Sequence, residues 1–274
     1  MQSAGLFLIL ACLVLGSVVA VLALNFRRKI ARLWARAGQG PSVEDQAAQL
    51  PPIVRDFALR SGARAEAGQL ALLLTQKAEL RLKRGGLFTT FNAHQIIALG
   101  EPAFVWHARR GFGPLTVLRV VDSFVGGEGA LEARLFGSLT VARANGVETT
   151  LGEAFRYLAE LPWAPDAILG NPHLQWRMAG EREAEVKLNT RVGTARVLFR
   201  FDAQGDIAEM EARERPASDP SGRPVRYDWR GRFGDYRQIG DRRLPGYGEV
   251  GYVYPEGYEV YFRCRTTGCR AAGR

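Results

Sequence analysis

Histidine and cysteine are scarce in this chain, three of each among 274 residues, and their placement removes most metal and nucleophile chemistry. His94, His107 and His173 lie far apart with no H-E-x-x-H arrangement, so neither a helical zinc site nor any other metal centre is expected. His107 follows Trp106 on an alternating stretch and reads as an ordinary hydrogen-bonded strand residue. Cys264 and Cys269 are separated by four residues rather than the two typical of a zinc knuckle. Fully extended, that link holds them about 16 Å apart, beyond disulfide reach, although Arg-Thr-Thr-Gly between them could turn the chain. No G-x-x-x-x-G-K-[ST] loop and no G-x-S-x-G elbow occurs, which removes P-loop enzymes and α/β hydrolases. Gly246-Tyr247-Gly248-Glu249-Val250-Gly251 matches G-x-G-x-x-G by letter, but no acid follows at the required distance and the surroundings read as strand. No cofactor is expected. Nor is there an internal repeat at a fixed period.

Acidic residues are absent from residues 1–37 and 263–274. These two segments hold five and four basic residues, the whole of the net charge of +9, so the body between them is neutral. Nucleic-acid binding needs a basic face on a folded domain, and none is expected.

What the amino end does contain is LFLILACLVLGSVVAVLAL, residues 6–24, with no charge and no proline. As a helix it is about 28 Å long, close to the roughly 30 Å of a bilayer core, and it reads as a single transmembrane anchor. Cys12 within it reads as a packing residue. A cleaved signal peptide is the alternative, but no basic residue precedes the run. Arg27, Arg28, Lys29, Arg32 and Arg36 follow it, which predicts a cytoplasmic domain by the positive-inside rule, with an extracytoplasmic one as the alternative. Ile30, Leu33, Trp34 and Ala37 recur at helical spacing among those arginines, so this segment is expected to lie in the headgroup region or to extend as a solvated helix. Four regions result: an anchor (1–25), a basic segment and linker (26–49), a folded domain (50–262) and a basic tail (263–274).

In the body, a Ser42…Asp45 pair resembles a capping box, and Pro51-Pro52 opens a short helix with Ile53, Val54, Phe57 and Ala58 on one face. From Gln69 the pattern alternates in short runs separated by Gly85-Gly86, Gly100-Glu101-Pro102 and Gly111-Phe112-Gly113-Pro114, the mark of an antiparallel meander. Thr150-Leu151-Gly152-Glu153 has the form of a capping box before a helix that Pro162 ends. Strands then resume, with a hairpin at Ala203-Gln204-Gly205-Asp206 and a polar loop over 214–224. About ten strands and two or three helices make this an α+β protein: a strongly curved, mostly antiparallel sheet with helices covering its concave face.

The helix at Leu50-Pro51-Pro52, FVWHARRG, VVDSFVGGEGALEARLFG, FRYLAELPWAP and WRGRFGDYRQIGDRRLPGYGEV together span most of 50–255. In that layout the chain resembles an uncharacterised bacterial family of membrane-anchored proteins. The resemblance implies a fold similar to the lipoprotein-carrier half-barrel, and an apolar or lipid ligand rather than a reaction. Trp106, Asp122, Gly126, Glu128, Tyr157, Glu160, Trp163, Trp229 and Tyr236 sit in the characteristic segments.

Two functional readings follow. In the first, Trp106, Phe124, Phe155, Tyr157, Trp163, Trp229 and Tyr236 contribute to an apolar cavity beneath 150–165 that binds a lipid or similar group. In the second, Asp122, Glu128 and Glu160 act as paired carboxylates of a hydrolase or isomerase. A scaffold recruiting a partner protein through a sheet edge is a third.

Overall fold

Alternating inward and outward side chains organise the body of the chain into one antiparallel sheet. The computed structural model describes residues 2–43, 45–64, 68–112, 115–219 and 221–273, the first ten by backbone except for Phe7 and Leu10. A first meander comprises β1 (Gln69–Arg81), β2 (Phe88–Ala98), β3 (Phe104–Phe112), β4 (Leu115–Val125), β5 (Glu128–Leu135) and β6 (Leu139–Ala144). A second comprises β7 (Gln175–Gly180), β8 (Glu183–Thr190), β9 (Gly193–Phe201), β10 (Ile207–Ser218), β11 (Pro224–Ile239), β12 (Arg242–Tyr254) and β13 (Gly257–Gly273). The meanders join where β1 pairs with β13, giving the order β6-β5-β4-β3-β2-β1-β13-β12-β11-β10-β9-β8-β7.

The curved open sheet therefore has the expected antiparallel character, with thirteen strands among the described residues rather than about ten. One source of the difference is the run 130–146, which turns at Phe136 and Gly137, both in the left-handed region at φ 50° and 73°, and so forms two strands. Another is the basic tail, which is not a tail. Arg263, Arg265 and Arg270 lie on β13, whose last residues pair with β1 from Leu80 back to Gln69. The Gly113-Pro114 part of the expected turn before β4 lies outside the described residues.

Chain connectivity dictates where the helices go. The two meanders are linked from β6 to β7, which are opposite edges of the sheet, so the link must cross a face. It does so as α3 (Val147–Ala159), a turn of 3-10 helix at Leu161–Trp163 and α4 (Pro165–Gly170). Together with α2 (Pro52–Arg60), these helices share one hydrophobic core with the inward residues of the strands, such as Phe91, Phe104, Trp106, Phe124, Phe199 and Trp229. Pro51-Pro52 opens α2 as expected, with Val54, Phe57 and Ala58 buried. Neither expected capping box forms. Asp45 instead accepts a bond from the Ala47 amide, 2.9 Å, at a separate 3-10 turn before α2, and Glu44 lies outside the described residues. α3 begins after Gly146 with no side-chain cap, and the Thr150 hydroxyl accepts the Gly129 amide at 3.1 Å. A Cβ on Gly129 would sit 2.6 Å from Thr150 Cα, so glycine there lets α3 rest directly on the start of β5.

The opposite face carries a second, smaller core. α1 (Gln2–Ala37) is one continuous helix whose Phe26, Ile30 and Ala37 pack with Leu33 and Trp34 against Ile96, Val105, Val121 and Val125. Lys29 donates to the buried Glu132 on β5 at 2.6 Å. Leu13, Val14, Leu15 and Val18 are exposed.

This corrects the reading of the amino end. No helix among the described residues is long and apolar enough to cross a membrane, which overturns the single-pass localisation and the transmembrane part of the fold expected from the sequence. The exposed apolar side chains Leu13, Val14, Leu15 and Val18 belong to the same unbroken helix whose carboxyl half is seated on the sheet. Beyond them come Arg27, Arg28 and Lys29. The apolar stripe of the basic segment is packed on the sheet.

Candidate functional site

Between α3 and the concave face of the sheet lies a cavity of about 350 Å³. It runs beside α3 from Glu148 to Trp163, roughly 20 Å by helix rise. Its walls are mostly carbon: Leu80, Trp106, Val120, Trp229, Phe233 and Phe262 from the strands and Ala159 from the helix. Exposed Ala144 and Ser218 stand at one end. Trp163 closes the other, packed edge-on against Phe233 at 5.3 Å and donating from Nε1 to the Pro245 carbonyl at 2.9 Å. That position demands glycine at 248, where a Cβ would meet the Trp163 ring at 2.4 Å. Gly251 has a similar cause, since its Cβ would lie 2.2 Å from the Glu259 carbonyl oxygen on β13. The G-x-G-x-x-G letters are thus a record of close packing along β12.

A polar floor interrupts the carbon. Asp122 stands opposite Trp106 in the strand register, and Trp106 opposite Gln95. From α3, Arg156 donates to both Asp122 and Glu160, the latter at 2.8 Å. Its guanidinium lies over the rings of Phe104 and Trp106 at 4.9 and 5.3 Å. Gln95 donates to the other Glu160 oxygen, and Trp106 Nε1 donates to Gln76 at 3.1 Å. Burial alone would lower the Arg156 pKa, but Glu160, Asp122 and Glu153 hold it above its ordinary value.

One turn earlier on α3, Glu153 also reaches into this floor. Burial first, and the Asp122 carboxylate next, push its pKa well above 4.5, although Arg156 and Arg215 pull the other way. Arg215 from β10 donates to the Tyr252 hydroxyl and to the Gly152 carbonyl, 3.1 Å, and lies 4.5 Å over Trp229. It makes no ion pair among the described residues. Here too burial lowers the pKa, while Tyr252, Tyr261 and the nearby carboxyls raise it on balance.

The residues singled out from the sequence divide in two. Trp106, Asp122, Glu160, Trp163 and Trp229 do meet at the cavity. Phe124 and Phe155 are core residues behind it. Tyr157 is buried but accepts from Asn171 at 2.8 Å and braces the end of α4. Tyr236 packs on Phe57 and donates to the Ile207 carbonyl at 2.8 Å. Glu128 is exposed at the start of β5. Glu153, Arg156, Arg215, Tyr252 and Tyr261 were not singled out. For the α3 pair a signal was present: 153, 156 and 160 repeat at helical spacing on one face, all ionisable, in a helix otherwise apolar on that side. Among the described residues no cluster of His, Cys, Asp and Glu has metal-site geometry. Cys264 and Cys269 are free thiols on β13.

Comparison with known proteins places the chain. The model of the Family of unknown function (DUF6544) matches residues 41–264, and the chain belongs to that family. No curated protein matches it. Among solved structures, the fold is similar to a domain of an outer membrane lipoprotein-sorting protein from Vibrio parahaemolyticus, with TM-score 0.46 and 11% identity over 82% of this chain and 93% of that one. It is also similar to a LolA superfamily protein from Nitrosomonas europaea, with TM-score 0.41 and 8% identity over 81% and 94%. A DUF1329 family protein from Desulfovibrio piger gives TM-score 0.38 and 12% identity over 83% and 94%.

Proposed function

We propose that this member of the family is a binding module that takes a lipid or other apolar chain into the cavity between α3 and the concave sheet. The cavity itself carries the reading. The cavity is open at one end and walled mainly by carbon above a polar floor, a shape and lining suited to an alkyl chain that enters from the exposed end. A fold that retains such a space beside seven aromatic side chains is best explained by an occupant. The volume lies within the range of small-molecule sites, about 300–1,000 Å³, and suits one alkyl chain.

The alternative, a hydrolase or isomerase working through Asp122, Glu128 and Glu160, has less support. Both Glu160 oxygens are engaged, by Arg156 and Gln95. Asp122 is held by the same arginine, and Glu128 lies away from the cavity. Arg156 thus neutralises Glu160 and one oxygen of Asp122, and among the described residues the second Asp122 oxygen and one of Glu153 have no hydrogen-bond partner.

The test uses the tryptophans already in the wall. Titrating the purified full chain with dibrominated stearic acid is expected to quench its emission saturably, near one ligand per chain, because Trp106, Trp163 and Trp229 would lie against the bromines. Ala159→Phe, which fills the middle, and Ala144→Trp, at the exposed end where folding is not at stake, are each expected to weaken binding ~10-fold or more. Quenching that never saturates, or that both variants leave unchanged, ends the proposal.

A further inference from the structure

The convex face carries a concentration of positive charge that the concave cavity does not explain. Outward residues of neighbouring strands fall into two rows. His94 on β2 stands opposite His107 on β3, and Arg109 on β3 stands opposite Arg119 on β4. Like charges directly opposed across strands are destabilising. The nearest acid in these rows, Glu132 on β5, is already held by Lys29, Arg134 and Arg143 at 2.6 to 2.8 Å. Arg119 is only 9% exposed, yet neither it nor Arg109 nor Arg27 makes an ion pair or hydrogen bond among the described residues. The stem of Arg119 is buried, while its guanidinium faces a groove between α1 and the sheet without a partner among the described residues.

Arg27, His94, His107 and Arg119 line this one groove of about 460 Å³, together with the apolar Ile30 and Trp34 of the helix, and Arg109 stands beside it, opposite Arg119. His107 Nε2 is buried there with no hydrogen-bond partner. No acid occurs on the facing part of α1, since residues 26–37 contain none. Burial, then Arg27 and Arg109, lower the Arg119 pKa, and burial, then Arg119, Arg109 and His94, depress His107 to about 4.

We propose that this groove binds a phosphate-type oxyanion, held by Arg119 and Arg109 with Arg27 closing over it from α1. Guanidinium groups match such oxygens bidentately, and a neutral His107 supplies one further hydrogen bond. The phosphate can arrive free or as the headgroup of an acidic lipid.

Thermal unfolding of the full chain in inorganic phosphate, against chloride at equal ionic strength to hold screening constant, tests this directly. The parent is expected to gain roughly 5 °C at saturating phosphate. Arg119→Gln and Arg109→Gln should each lose that gain while melting no lower than the parent in chloride, because the cross-strand repulsion is relieved. A second arm measures flotation with phosphatidylglycerol or phosphatidylcholine vesicles. Arg119-dependent binding to phosphatidylglycerol alone, without a response to inorganic phosphate, assigns the site to a lipid-borne group; the converse assigns it to the free anion. Variants that respond as the parent does, or a parent unmoved by either probe, overturn the proposal.

Discussion

At Glu153 an ionisable residue sits inside the core without a matched cation. Its folded pKa is raised by burial and by Asp122. An acid raised in this way contributes stability that is fully present below its unfolded pKa and is withdrawn as pH climbs toward the folded one. Between pH 5 and 8 the parent should therefore lose stability steadily. Glu153→Gln keeps the shape and cannot ionise, so its urea midpoint should stay flatter over that interval and exceed the parent's at pH 8. Superimposable pH profiles would mean that Glu153 is ionised in the folded protein. At this scale the sequence was only partly informative. The aromatic residues of the cavity could be named because large rings gather in cores, but the partner of each charge could not. Asp122 and Arg156 are 34 residues apart, and only the crossing of α3 over β4 brings them together.

Elements show the same division. The period of α1 was legible from Ile30, Leu33, Trp34 and Ala37, but not what that stripe faces, because a basic amphipathic helix suits a sheet as well as a headgroup layer. Glu132 decides in favour of the sheet. It is 2% exposed at its side chain and holds Lys29 of the helix. Burial opposes its ionised form, but hydrogen bonds from Lys29, Arg143 and Arg134 bring its pKa down to about 2. A carboxylate depressed in this way stabilises the fold above its unfolded pKa of 4.5, and that contribution disappears as pH falls toward 2. Glu132→Gln is expected to cost about 1–3 kcal/mol at neutral pH, and to speed hydrogen exchange in residues 26–37 more than in α3. Equal protection of α1 in both proteins would show that its apolar stripe alone holds it.

For the molecule as a whole, the seam between β1 and β13 is decisive. It is the only pairing among the described strands that ties one meander to the other within the sheet. Truncation after Phe262 removes residues 263–274, and with them the part of β13 that pairs with β1 from Glu79 to Gln69. The truncated chain should lose cooperative unfolding, with a shallower urea transition and a smaller m-value, rather than behave like a protein that has shed a loose end. A two-state transition with the parent's m-value would restore the view of these residues as a tail.

What the sequence determined by itself was local: which runs alternate, where Pro51-Pro52 and Pro162 punctuate helices, and which catalytic motifs are missing. These depend on neighbours a few residues away. Tertiary structure alone decided that a basic tail is a central strand, that a basic helix lies on the convex face, and that Glu153 and Arg215 share a cavity floor. Each of those outcomes depends on contacts between residues far apart in the chain, which only the closure of the two meanders along β1 and β13 creates.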